Sequence, residues 1–104
     1  FKGIKNDPES KQKWDPKWTL HYTTYWGGAR KTCDDMGMTL PDKNTLSKIV
    51  KKNLSDNLGI PKTGLFWSSS ERTNTMGYSV EAATGKIIED EKDHSGRQLL
   101  CVEK

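Results

Sequence analysis

The apolar residues of this chain come in short groups, and their spacing switches from strand-like to helical and back again. Residues 1 to 17 are polar, carry Pro8 and Pro16, and read as an irregular lead-in. In "WTLHY" (18–22), Trp18, Leu20 and Tyr22 share one face, the period-two pattern of a half-buried strand. The next stretch changes period: Trp26, Ala29, Cys33 and Met36 fall at offsets 0, 3, 7 and 10, one stripe of a helix. Gly37 sits where a helix C-terminus takes a left-handed residue. Paired Gly27 and Gly28 each cost about 1 kcal/mol in a helix relative to Ala, so the pattern predicts a helix beginning just after them.

Pro41-Asp42 opens a second helix, with Asp42 as N-cap and Leu46, Ile49 and Val50 as the apolar stripe. Lys43, Lys48, Lys51 and Lys52 cover its wet side. Gly59, Pro61 and Gly64 break it, and the remainder reads as short strands over 65–69, 78–82, 86–89 and 97–103, joined by turn-rich segments. An early strand, two helices and then a run of strands make an α+β domain over residues 18–104. Cys33, on the first helix, and Cys101, on the last strand, are placed to staple the two layers.

Composition sharpens this picture. The hydrophobic fraction is 32% and the mean hydropathy is −0.88, near the range of chains that stay unfolded. Four Trp, three Tyr and two Phe argue for a small, aromatic-anchored core instead, each able to bury about 150–250 Å². Trp18, Trp26 and Trp67 fall on apolar stripes and read as core. Trp14, in the lead-in, reads as a flap over the core edge or an exposed platform. The net charge of +3 is spread over 17 basic and 14 acidic residues, without the dense basic stripe of a nucleic-acid binder. The two cysteines form no CxxC motif and no Cys/His cluster, which leaves no structural zinc site in the pattern. They are either a disulfide, worth about 4 kcal/mol and implying an oxidising compartment, or two buried thiols. The chain opens on Phe1 rather than on an initiator Met and holds no apolar run of membrane-spanning length, so the expectation is a mature piece whose export signal or anchor lay upstream.

The ordered set "WGGARKTCDDMGMTLPDKNTLSKIV" (26–50), "FWSSSE" (66–71), "YSVEAATGKI" (78–87) and "LLCVEK" (99–104) resembles the C-type lectin-like fold, and within it the bacterial branch of adhesin and pilin-like surface domains. The resemblance implies two helices packed on short antiparallel strands, N- and C-terminal strands close together, and one disulfide from the Cys of the first helix to that of the closing strand. The Glu-Pro-Asn, Gln-Pro-Asp and Trp-Asn-Asp signatures of calcium-dependent sugar binding are not in the chain. Trp67 and Val80 are 13 positions apart, too few for the long calcium-bearing loop. The resemblance therefore implies the scaffold without a calcium site, and no cofactor.

The remaining chemistry-bearing groups are sparse. Glu89, Asp90, Glu91 and Asp93 lie in "EDEKDHSG" without EF-hand spacing, and read as a solvated hairpin loop. His21 and His94 stand apart from any nucleophile or metal partner. Ser68, Ser69 and Ser70 lack a nucleophile elbow; alternation predicts one serine turned inward onto backbone and the others outward. No catalytic site is expected, although the formylglycine-generating, sulfatase-activating branch of the fold is enzymatic. Recognition is placed instead on the loops after residues 67 and 89, through Ser69, Ser70, Glu71, Arg72, Asn74, Lys86 and Arg97. Arg72, Lys86 and Arg97 would favour an anionic glycan; protein subunits of a surface assembly are the other expected partner. The function expected is non-catalytic recognition or assembly in a secreted or cell-surface bacterial protein, with a purely structural filament subunit as the alternative.

Overall fold

The computed structural model describes residues 5–6, 24–94 and 96–103. The expected strand over 18–22, with Trp14, Trp18 and His21, lies outside these residues. The first helix, α1 (Tyr25–Asp35), begins before the glycine pair rather than after it. The cap explains the difference: the Thr24 side chain accepts a hydrogen bond from the Gly27 amide at 2.9 Å, and the Gly28 amide reaches the Thr24 carbonyl at 2.9 Å. An N-cap of this kind contributes about 1 kcal/mol, enough to offset one glycine. Trp26, Ala29 and Cys33 are buried as the stripe requires, but Met36 is 37% exposed. The helix ends at Asp35 and Gly37 turns left-handed at φ 71°, so Met38, past the turn, fills the core position instead.

The second helix, α2 (Lys43–Asp56), is capped by Asp42, whose carboxylate takes the Thr45 amide at 2.7 Å. That bond holds the Asp42 carboxyl below its ordinary range. The buried Asn53 fastens the far end, accepting from the Leu58 and Ile60 amides and donating to the Ile60 carbonyl.

Three antiparallel strands follow, in spatial order β2–β3–β4: β2 (Leu65–Glu71), β3 (Met76–Glu81) and β4 (Ile87–Glu91). A two-residue strand β5 (Leu100–Cys101) pairs antiparallel with β1 (Lys5–Asn6), inside the stretch read from sequence as an irregular lead-in. The first and last described strands are thus neighbours. The expected strand over 97–103 is shorter than anticipated, because its residues are shared out. Gln98 bridges Phe66 in parallel, Leu100–Cys101 pair with β1, and Val102 bridges Thr39.

Adjacent residues of β2 point to opposite faces, as a pleated strand requires. Phe66 joins Leu46, Ile49, Val50, Val80 and Leu100 on the α2 side. Trp67 joins Trp26, Ala29, Cys33, Leu99 and Cys101 on the α1 side. One helix therefore covers each face. Phe66 and Trp67 are both fully buried, and each contributes about 4–6 kcal/mol of apolar burial before ordering entropy is subtracted. The Cys33–Cys101 disulfide lies in the Trp67 cluster, with its Cα atoms 5.4 Å apart.

Candidate functional site

Strand β2 leaves its ladder with β3 between Trp67 and Glu71, where the register shifts. Several of the polar groups there bond outside the ladder. Trp26 Nε1 donates to the Ser68 carbonyl at 2.9 Å, and the Ser69 amide donates to the Pro41 carbonyl at 2.8 Å. Ser70 Oγ accepts the Lys43 amide at 2.9 Å. Ser68 is the inward serine, its hydroxyl donating to the Tyr78 carbonyl at 2.7 Å. The bulge is thus bolted to α1 and to the start of α2, and it aims the strand's exit into a rigid turn. Thr73 sets that turn: its hydroxyl accepts the Thr75 amide at 3.3 Å and the Met76 amide at 3.0 Å. Asn74 stands exposed at the tip.

Charges from three segments meet around this exit. Arg72 pairs with Glu89 across the sheet at 3.2 Å, both side chains half-exposed. Glu71 takes the ammonium of Lys92, which is itself buried and sits 4.2 Å from the centre of the Trp26 ring. Asp90 is the hub of the second loop. It is 4% exposed, so the expected solvated acidic loop is corrected at this residue: β4 runs through Glu91, and Asp90 faces inward opposite Gly77. Arg97 donates to it twice, from Nε at 2.8 Å and Nη2 at 3.1 Å, and Ser79 Oγ donates at 3.0 Å. His94 Nδ1 lies 2.5 Å from its other oxygen. Burial pushes the Asp90 carboxyl up, but the bonds from Arg97, His94 and Ser79 outweigh it and hold the group below its ordinary range.

A second feature adjoins the bulge on the α1 side. A cleft of about 170 Å³ is lined by Arg30, Asp34, Thr39, Leu40 and Ser69. Arg30 lies with its guanidinium carbon 5.1 Å from the centre of the Trp26 ring.

The structure therefore brings together Ser69, Ser70, Glu71, Arg72 and Asn74 along β2 and its exit turn, and sets Arg97 among the residues of the neighbouring loop. Arg97 is committed to Asp90, and Ser70 to the start of α2. Lys86 is not brought to this end. It precedes β4, whose opposite end, Glu91, pairs with Met76 at the exit turn. Sequence reasoning missed Arg30, Asp34 and Lys92. The first two are spaced i and i+4 on the polar side of α1, a signal that was present; Lys92 reads as one more surface lysine until its Trp26 partner is placed. Among the described residues, no three His, Cys, Asp or Glu side chains are grouped to hold a metal ion, and no helix is long and apolar enough to cross a membrane.

No protein-family model matches the chain, and no curated protein matches it. Among solved structures it is similar to the Yersinia pseudotuberculosis adhesin InvE, with a TM-score of 0.54 and 16% identity. The match covers 70% of this chain but 22% of the adhesin's. At that identity the likeness speaks for fold alone. The chain is an α+β domain with a helix on either face of a three-stranded sheet, closed by one disulfide, and its architecture recurs within an adhesin.

Proposed function

We propose that this chain is a non-catalytic recognition domain of C-type lectin-like type, carried by a secreted or cell-surface bacterial protein and acting in adhesion. The observation that supports this most is the pairing of a disulfide-closed scaffold, similar to part of an adhesin, with a rigid polar edge where β2 leaves the sheet. A disulfide persists in oxidising compartments, which fits export. The edge offers Ser69, Glu71, Arg72 and Asn74 from a turn locked by Thr73, so little ordering entropy is lost on contact. Arg72 and Asn74 supply donors to an anionic glycan or to a protein subunit, while Arg97 holds the neighbouring loop in shape through Asp90.

Fluorescently labelled domain, applied to a glycan array and to cells in flow cytometry, should bind saturably. Arg72→Ala with Asn74→Ala should weaken that binding at least about tenfold, while stability changes by no more than about 1 kcal/mol, as for other exposed ion pairs. A silent array and unlabelled cells, or concentration-dependent self-association in sedimentation as the sole interaction, would replace recognition with the filament-subunit role.

A further inference from the structure

We infer that the cleft between α1 and the β2 bulge binds one acidic sugar unit, with the carboxylate on Arg30 and ring hydroxyls on Asp34, Ser69 and Thr39. This rests on the recognition reading and names the ligand class of one site within it. Among the described residues, the Arg30 guanidinium, the Asp34 carboxylate and the hydroxyls of Ser69 and Thr39 make no hydrogen bond or ion pair with one another or elsewhere. This contrasts with the adjoining edge, where Glu71, Arg72, Asp90, Lys92 and Arg97 are all engaged within the fold. Arg30 and Asp34 are one helical turn apart, yet they do not satisfy each other. Arg30 instead lies over Trp26, whose ring is fixed by the bond to the Ser68 carbonyl. Ser69 is fixed by its own amide bond to Pro41.

The walls are therefore held by contacts that leave their hydrogen-bonding groups unspent. Arginine's planar fork matches a carboxylate. A carboxylate lining the same cleft, one helical turn from Arg30, rejects a ligand that is anionic all round, such as phosphate or sulfate, and accepts from hydroxyl donors. The complement is a molecule with a carboxylate at one end and hydroxyls around the rest, small enough for about 170 Å³. Leu40 is the one apolar residue of the lining, which disfavours an amino acid with a hydrophobic side chain.

The test titrates sodium glucuronate into ¹⁵N-labelled protein, with methyl glucoside, sodium acetate and alanine in parallel. The expected result is amide shifts centred on Arg30, Asp34, Thr39 and Ser69, saturating with a dissociation constant of about 1 mM, as suits a ligand of that size. The neutral sugar, acetate and alanine should bind at least about tenfold more weakly. Arg30→Gln should cost at least about tenfold and Arg30→Lys less, because the charge stays but the fork is lost. Should Arg30→Gln disturb the fold, Ser69→Ala and Asp34→Asn provide the same comparison. Absence of shifts, shifts centred elsewhere, or equal binding of alanine, acetate or methyl glucoside would overturn the inference. Cell or array binding that persists in Arg30→Gln would leave the recognition reading standing without this site. Glucuronate seated in the cleft of a domain that binds no cell surface would keep the site and remove the adhesive role.

Discussion

Removing the covalent tie between α1 and β5 should cost this domain a large part of its stability. Cys33 and Cys101 are 68 positions apart in sequence. Closing a loop of that length in the unfolded chain removes about 15 cal/mol/K of entropy, or about 4.4 kcal/mol at 25 °C. A domain of this size has about 5–15 kcal/mol in total. The sulfurs are also part of the core beside Trp67 and Leu99, so Cys33→Ala with Cys101→Ala adds a packing loss that simple reduction does not. Urea unfolding, followed by tryptophan fluorescence and far-ultraviolet circular dichroism, separates the two contributions. The reduced wild type should unfold at a midpoint roughly 2–4 M below the oxidised protein, and the double variant lower still. The denaturant slope should rise on reduction, because the released unfolded chain exposes more surface. Intact mass of unreduced protein should be two hydrogens below that of the dithiol. A midpoint shift worth less than about 1 kcal/mol with an unchanged slope would refute the reasoning. It would mean that the loop is already closed by other contacts in the unfolded ensemble.

Two further outcomes follow from the interior of the α1 face. A Cβ on Gly77 would stand 2.9 Å from Trp26 Cδ1 and 3.0 Å from its Nε1, against a ring that cannot retreat without breaking its bond to Ser68. Gly77→Ala should therefore cost about 1–3 kcal/mol in thermal or urea unfolding, and unchanged stability would show that the ring moves freely. Asp90 has a folded pKa below its unfolded value of about 3.9, so its charged form is favoured by folding. Its stabilisation is complete above about pH 5 and is lost as pH falls through the folded value. Asp90→Asn should cost about 2–4 kcal/mol at neutral pH and flatten the acid limb of a stability-against-pH curve; an acid limb as steep as that of the wild type would place that dependence on other groups.

Much of this architecture was legible because its signals are local. The Asp42 cap, the Leu46, Ile49 and Val50 stripe and the left-handed Gly37 are set by chemistry within a few positions of each residue, and all three are present in the structure. The inward Ser68 follows from alternation along one strand. Misreadings arose where a distant partner overrides a local preference. Two glycines argue against a helix start, yet Thr24 caps there and the Trp26 amide is fixed by the Lys92 carbonyl. A run of four carboxylates reads as solvent-facing until Arg97 and Ser79 draw Asp90 inward. At the polar edge the residue types were readable, but their state of engagement was not. Ser70 looks like a displayed hydroxyl and is spent on the Lys43 amide, whereas Arg30 looks like one more helix-surface charge and keeps its hydrogen-bond donors unspent.

By itself the sequence determined the two helices and the run of short strands after them, in that order, and placed the two cysteines on the elements the disulfide joins, while the pairing of residues 5–6 with the closing strand left no local signal. These follow from hydrophobic period, capping and turn chemistry, which act over one or two turns of chain. Only the tertiary structure decided which helix covers which face of the sheet. It also broke β2 at the bulge and divided the polar groups into those consumed by the fold and those left open around the cleft. Those outcomes depend on which side chains become neighbours after the long loops close, and a hydrogen bond made to a residue forty positions away leaves no trace in local spacing.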